Sequence, residues 1–298
     1  MPYARKPRLP PHSVEELVHT YTEDGILLEG VRYGPASADI TIVYTHGVTS
    51  TVFRQTHVRV GRALELSGYT IVAGNNRGAG VATALLQRSG PRVLGGSWFE
   101  RLEDATKDIA AWIEVAASGS ASRIVLLGHS LGAIKAMLYA SEIHDPRLAG
   151  VVLASLPLRG ASRPLDPGLL ARAKRAVDEG RPEELIDDLG APGLTFGRLS
   201  AASLLSRAAI GERAQRLRNI PYPVLGIYGT EEVDVGGQAE LDQLATLLPG
   251  RFNGAMIAGA DHMYAGHEAE AAVLIAGWIG SQVTSPSGVL SAESSPPP

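Results

Sequence analysis

Between Arg123 and Glu142 the chain passes from a continuous apolar run, Arg123 to Leu127, through Gly128-His129-Ser130-Leu131-Gly132 into an Ala-, Leu- and Met-rich stretch, Ala133 to Glu142. An apolar run without polar alternation marks a strand buried on both faces, as in a parallel sheet covered by helices. The stretch that follows has the composition of a helix. Joining the two within five residues demands a very tight turn. Gly128 and Gly132 permit it, because backbone without a Cβ can crowd where a side chain would clash. A serine at the centre of such a turn has its hydroxyl pushed clear of the sheet. This strand, G-x-S-x-G turn and helix together form a nucleophile elbow, and Ser130 is the candidate nucleophile.

The rest of the chain repeats the alternation. Asp24-Gly25 between two strand-like segments predicts an opening hairpin. ITIVYT, YTIVAG, RIVLLG and GVVLAS read as strands, with helical patterns around Arg54 to Ser67, around Glu100 to Ala117 and after Ser130. Such alternation predicts an α/β protein with a mostly parallel sheet and helices on both faces. From about Leu156 to Arg218 the strand pattern gives way to helix-like, Arg/Leu/Ala-rich sequence broken by prolines and glycines. The expected partition is a flexible arm over residues 1–13, a core over 14–155 and 219–283, an insert over 156–218 and a disordered Ser/Pro-rich tail over 284–298.

From about Val18 to about Val283 the chain resembles the α/β-hydrolase superfamily. The motifs that carry the resemblance are the elbow, the strand of TIVYTHGVTS running into His46-Gly47, and NNRGAG, Asn75 to Gly80, which is similar to that family's Arg-Gly-x-Gly turn. The resemblance implies the α/β-hydrolase fold, with an eight-stranded sheet and a helical cap formed by the insert. It also implies an oxyanion hole from the backbone amides of Val48 and Leu131, since preorganised donors stabilise the negative oxygen of an acyl-transfer intermediate. A serine hydroxyl is a weak nucleophile at neutral pH, so Ser130 needs a base, and the base an orienting carboxylate. The family's chain order is Ser, acid, His. Gly259-Ala260-Asp261-His262, after a strand, matches its histidine loop and points to His262. His267 reads as a solvent-facing histidine at a helix start, and Asp261 as a turn residue.

The acid is expected in the loop after Val224 to Tyr228, where Gly229-Thr230-Glu231-Glu232 laid on the family's Gly-Thr-x-Asp places Glu232 at the acid position. Asp234 is its rival within the same loop, and Glu231 ranks last. Candidate pocket walls are His129, the Ser97-Trp98-Phe99 stretch, and apolar cap residues such as Phe196 and Leu194. Arg77 and its neighbouring glycines read as a structural turn.

A chain of 298 residues, 45% hydrophobic, buries a sizeable core, and its formal net charge of −4 offers no basic field for nucleic acid or anionic membranes. There is no cysteine, which excludes disulfides, cysteine nucleophiles and thiolate metal sites. No signal-like h-region and no run long enough for a membrane-spanning helix is seen, so a cytoplasmic location is expected. No phosphate-loop, dinucleotide or zinc-protease spacing occurs, so no cofactor or metal is expected. The partner expected is a small-molecule substrate, with the oligomeric state open. Three readings stand: a serine hydrolase acting on a carboxylic ester, thioester or amide; an acyltransferase or lyase using the same site; and a non-catalytic binding protein on this scaffold.

Overall fold

The apolar runs assemble into an eight-stranded sheet in the computed structural model, which describes residues 15–161, 166–187, 197–232 and 234–284. The expected arm, nearly all of the expected tail, and Phe196 and Leu194 lie outside the described residues. In chain order the strands are β1 (Glu15–Tyr21), β2 (Leu27–Tyr33), β3 (Ile40–Thr45), β4 (Thr70–Gly74), β5 (Arg123–His129), β6 (Leu148–Ala154), β7 (Val224–Gly229) and β8 (Phe252–Ile257). Their order across the sheet is β1-β2-β4-β3-β5-β6-β7-β8. β2 runs antiparallel to both β1 and β4, and every pairing from β4 through β8 is parallel. This is the α/β-hydrolase arrangement. The opening hairpin turns at Gly25, whose φ of 82° suits glycine.

The helices are α1 (Gln55–Leu66), α2 (Ala105–Ala117), α3 (Leu131–Glu142), then α4 (Leu158–Ala161), α5 (Pro167–Asp178), α6 (Ala201–Ala208) and α7 (Ile210–Ala214) between β6 and β7, and finally α8 (Gln238–Leu247) and α9 (Glu268–Gln282). The strand period of two divides the core. Ile124 and Leu126 of β5 pack with α2, α3 and α8, while Val125 and Leu127 pack with α1 and α9 on the other face. The continuous apolar run is therefore two alternating sets, each facing its own helix layer.

The segment between β6 and β7 carries its own small core of Ala173, Ala176, Ile186, Leu199, Ala201 and Leu204. Asp166 caps α5 through the Leu169 amide, with Pro167 opening the helix, and Ser200 caps α6 through the Ser203 amide. The segment is not wholly helical as expected. Leu185–Asp187 and Arg198–Ser200 pair as an antiparallel ribbon, and three residues per strand are too few for alternation to be legible in sequence.

This segment is tied to the core by polar contacts. The Ser200 amide donates to the Trp98 carbonyl at 2.8 Å, and Arg207 Nη2 donates to the Ser97 carbonyl at 2.7 Å. Ser206 Oγ accepts from the Leu102 amide at 2.8 Å and donates to Glu103 at 2.7 Å. Beneath them Lys135 of α3 and Glu100 form an ion pair in which both side chains are buried, with Arg207 3.9 Å from Glu100. Burial pulls the Lys135 ammonium below its usual value, and the adjacent Glu100 carboxylate works against that.

Removing one partner of a buried pair strands the other charge. Lys135→Met is expected to cost about 3 kcal/mol in urea unfolding, and the double variant Lys135→Met/Glu100→Gln to recover most of it. Equal losses in the single and double variants would contradict a coupled pair.

Candidate active site

Ser130 joins β5 to α3 with φ 57° and ψ −127°, a left-handed conformation that costs a non-glycine residue about 1–3 kcal/mol. The surroundings over-determine it. A Cβ on Gly128 would lie 2.2 Å from the Gly132 carbonyl oxygen, and one on Gly132 would lie 2.5 Å from that of Thr45. The end of β3 therefore presses directly on the elbow. Ser130 donates its amide to the Ala154 carbonyl at 2.9 Å and accepts the Ala133 amide at 2.8 Å, which fixes both sides of the turn.

Two further chain segments meet the serine. His262 Nε2 lies 3.0 Å from Ser130 Oγ, and His262 Nδ1 lies 2.9 Å from Glu232 Oε2. The geometry needs one tautomer, with Nδ1–H donating to the carboxylate and Nε2 accepting the serine proton. Glu232 is buried, and its other oxygen, Oε1, accepts from the Gly229 amide and the Ser155 hydroxyl, each at 2.7 Å. Glu231 and Asp234 are exposed, and Asp234 lies within electrostatic reach of Arg159. Of the three carboxylates in this loop, Glu232 is the one bonded to the histidine. Asp261 holds the histidine loop, accepting from the Met263 and Ala265 amides at 2.9 and 3.0 Å. His267 leads into α9 with its ring 3.0 Å from Glu270.

Behind His262 stands a column of buried histidines. His129 donates from Nε2 to the His262 carbonyl at 2.7 Å, and its ring lies 5.0 Å from that of His262 and 5.4 Å from that of His57. His129, expected as a pocket wall, is buried and engaged with the histidine loop. His57 bonds the Tyr44 hydroxyl through Nδ1 and Ser50 Oγ through Nε2, the latter at 2.9 Å. Burial pushes the imidazoles of His46 and His57 down to about 3, and that of His129 well below its ordinary value. The sequence reading passed over His57, although it sits in phase with Val60, Gly61 and Leu64 on the buried face of α1. Ser155 was also passed over, because nothing local distinguishes it from any serine ending a strand.

Leu131 is the first residue of α3, so its amide stands outside the intrahelical ladder. Val48 follows Gly47, on which a Cβ would lie 2.7 Å from the Ser130 Cβ. Both amides therefore border the serine. Trp98 is half-buried, with its amide on the Val81 carbonyl at 3.0 Å and its carbonyl under Ser200. Arg77 is clamped by Asp108 at 2.8–2.9 Å and by Asp24 at 3.0 Å, which makes the NNRGAG segment a pinned turn. Among the described residues no group of histidines and carboxylates is arranged to hold a metal ion, and no helix is long and apolar enough to cross a membrane.

A family model described as serine aminopeptidase, S33, matches residues 36–232, more than half of the chain. A sequence comparison with curated proteins found no match. Among solved structures, the protein is similar to Est1E from Butyrivibrio proteoclasticus with ferulic acid bound, at a TM-score of 0.67 and 17% identity over 90% of this chain and 100% of that one. It is also similar to DcsB in complex with its substrate analogue (TM-score 0.70, 16% identity, 91% and 100% covered) and to the Pyrococcus furiosus esterase Pf2001 (TM-score 0.61, 18% identity, 91% and 92% covered). At these identities the likeness is one of fold.

Burying neutral histidines is expected to weaken the fold in acid. For His46 and His57 the unfolded chain takes up a proton near pH 6.5 and the folded chain only near 3, so between those values the unfolded state holds more protons. Stability is therefore expected to fall as pH drops below about 6.5, each such histidine contributing up to about 1.4 kcal/mol per pH unit. Urea midpoints between pH 7 and pH 5 should fall less steeply in His57→Gln, and an unchanged slope would show that His57 is not held neutral.

Proposed function

The chain belongs to the serine aminopeptidase S33 family of α/β hydrolases, and from that premise we propose that it is a serine hydrolase that cleaves a carboxylic ester of a small molecule through an acyl-enzyme. The observation that carries this reading is the unbroken hydrogen-bonded chain from Ser130 through His262 to the buried Glu232. An ester is named first because esterases are among the proteins that share this fold, although the matching family model is described as an aminopeptidase.

In this mechanism His262 Nε2 removes the Ser130 proton as Oγ attacks the substrate carbonyl. Glu232 keeps the proton on Nδ1 in the resting state and stabilises the imidazolium that forms. The negative oxygen of the tetrahedral intermediate takes its hydrogen bonds from the Val48 and Leu131 amides, which need no reorganisation to receive it. His262 then delivers its proton to the departing alkoxide, leaving Ser130 acylated. A water enters and attacks the acyl carbonyl as His262 takes one of its protons, and collapse of the second tetrahedral intermediate releases the acid while His262 returns that proton to Ser130 Oγ. The left-handed turn at Ser130 serves this sequence by holding Oγ towards both the base and the oxyanion donors.

Labelling with a fluorophosphonate probe, read by intact mass, is expected to modify wild-type protein once and Ser130→Ala not at all. Short p-nitrophenyl esters should be hydrolysed by the wild type, with Ser130→Ala and His262→Ala each losing roughly 10⁴ or more in turnover. Full activity in Ser130→Ala would end the covalent mechanism. For the acid, Glu232→Gln should lose far more rate than Asp234→Asn, and the reverse order would move the orienting role to Asp234.

A further inference from the structure

Ser155 follows the last residue of β6, fully buried and with φ 51°, in the left-handed region. Its amide donates to the Ile227 carbonyl at 2.8 Å, which pins the turn to β7. Its hydroxyl lies 2.7 Å from Glu232 Oε1 and 2.7 Å from the hydroxyl of Tyr264. Tyr264 stands two residues beyond His262, is itself buried, and also adopts a left-handed φ of 55°.

The proton count resolves this network. A serine hydroxyl holds one proton, and an ionised carboxylate can only accept. The Ser155 proton therefore goes to Glu232, and the Tyr264 proton has two acceptors, the Ser155 oxygen at 2.7 Å and the Ile227 carbonyl at 3.2 Å, of which the shorter contact is the one to Ser155. Glu232 Oε1 then has two donors, Ser155 Oγ and the Gly229 amide, while Oε2 is left for His262. A glutamate has one more rotatable bond than an aspartate and a broad terminal torsion. Fixing the direction of Oε2 requires that Oε1 be held.

We propose that Ser155 is a positioning residue for the Ser130–His262–Glu232 site: its hydroxyl, aimed by Tyr264, fixes the Glu232 carboxylate so that Oε2 meets His262 Nδ1. This rests on the hydrolase reading above. Ser155 is fully buried and its hydroxyl bonds to Glu232 and Tyr264, so its effect on the reaction passes through Glu232. Two left-handed residues, each outside the nucleophile turn, are thereby accounted for, since Ser155 brings its hydroxyl to the carboxylate and Tyr264 brings its own to Ser155.

The test separates the hydroxyl from the backbone. Ser155→Ala removes the hydroxyl and keeps the strained φ, whereas Ser155→Gly removes the hydroxyl and relieves the strain. With p-nitrophenyl acetate, both are expected to lose about tenfold in kcat with KM changed by less than about twofold, although the glycine variant is the more stable of the two. Ser155→Thr keeps a hydroxyl at a conformation poor for a β-branched residue, and is expected to retain most of kcat while melting earlier. Tyr264→Phe should lose about threefold in kcat, because the Ser155 hydroxyl is then free to turn away.

Wild-type kcat in either Ser155→Ala or Ser155→Gly would overturn the proposal, as would rates that follow thermal stability across the set. Ser130→Ala on the same substrate distinguishes the two levels. An active Ser130→Ala removes the hydrolase reading and the positioning role together, while an inactive Ser130→Ala beside a fully active Ser155→Gly removes the positioning role alone.

Discussion

A serine held in a left-handed conformation at the junction of a central strand and its helix is the constraint on which the rest of the molecule depends. Such a conformation persists only where neighbours forbid relaxation. Here the forbidding contacts come from Gly128 against Gly132, from Gly132 against the end of β3, and from the Ala154 carbonyl of β6 on the serine amide. Three adjacent parallel strands must be in register for those contacts to exist. The sheet order, with β3 and β6 flanking β5, is thus what keeps the Ser130 hydroxyl in place.

The second requirement is that polar groups drawn into the interior find partners. Around the serine they do so in sequence: His262 with Glu232, Glu232 with Gly229 and Ser155, the His262 carbonyl with His129, and His57 with Tyr44 and Ser50. The neutral histidines are held by desolvation, and the carboxylate by donors from two chain segments. The Lys135–Glu100 pair meets the same requirement only in part, as an ion pair beside which Glu100 Oε2 and Arg207 Nε are buried without a hydrogen bond among the described residues. Rigidity at the site is a product of this satisfaction, because each hydrogen bond removes a torsion that packing alone would leave soft.

What the sequence disclosed and what it withheld follow one distinction. The parallel strands, the opening hairpin, the elbow and the pairing of both core faces are written in short-range pattern, and they were legible for that reason. Glu232 and Asp234 are both carboxylates in one loop, and the difference between them is burial and the donors waiting at Oε1, which come from residues far along the chain. His129 sits inside the elbow motif, yet its place beneath the histidine loop depends on a hydrogen bond to a residue 133 positions later. Ser155 and Tyr264 carry no local signature at all, since only the fold brings their hydroxyls together. The ribbon of Leu185–Asp187 and Arg198–Ser200 was hidden by its brevity.

Ser155, where the segment between β6 and β7 begins, bonds to Glu232, whereas from α5 to α6 the segment has a core of its own, and the hydrogen bonds described above tie that part to the 97–103 connection. Its interior can thus be repacked by mutation without moving the reacting groups. An ancestor with this architecture could try new ligands at little risk to its chemistry, because the part that varies and the part that must not vary are stabilised by different sets of contacts.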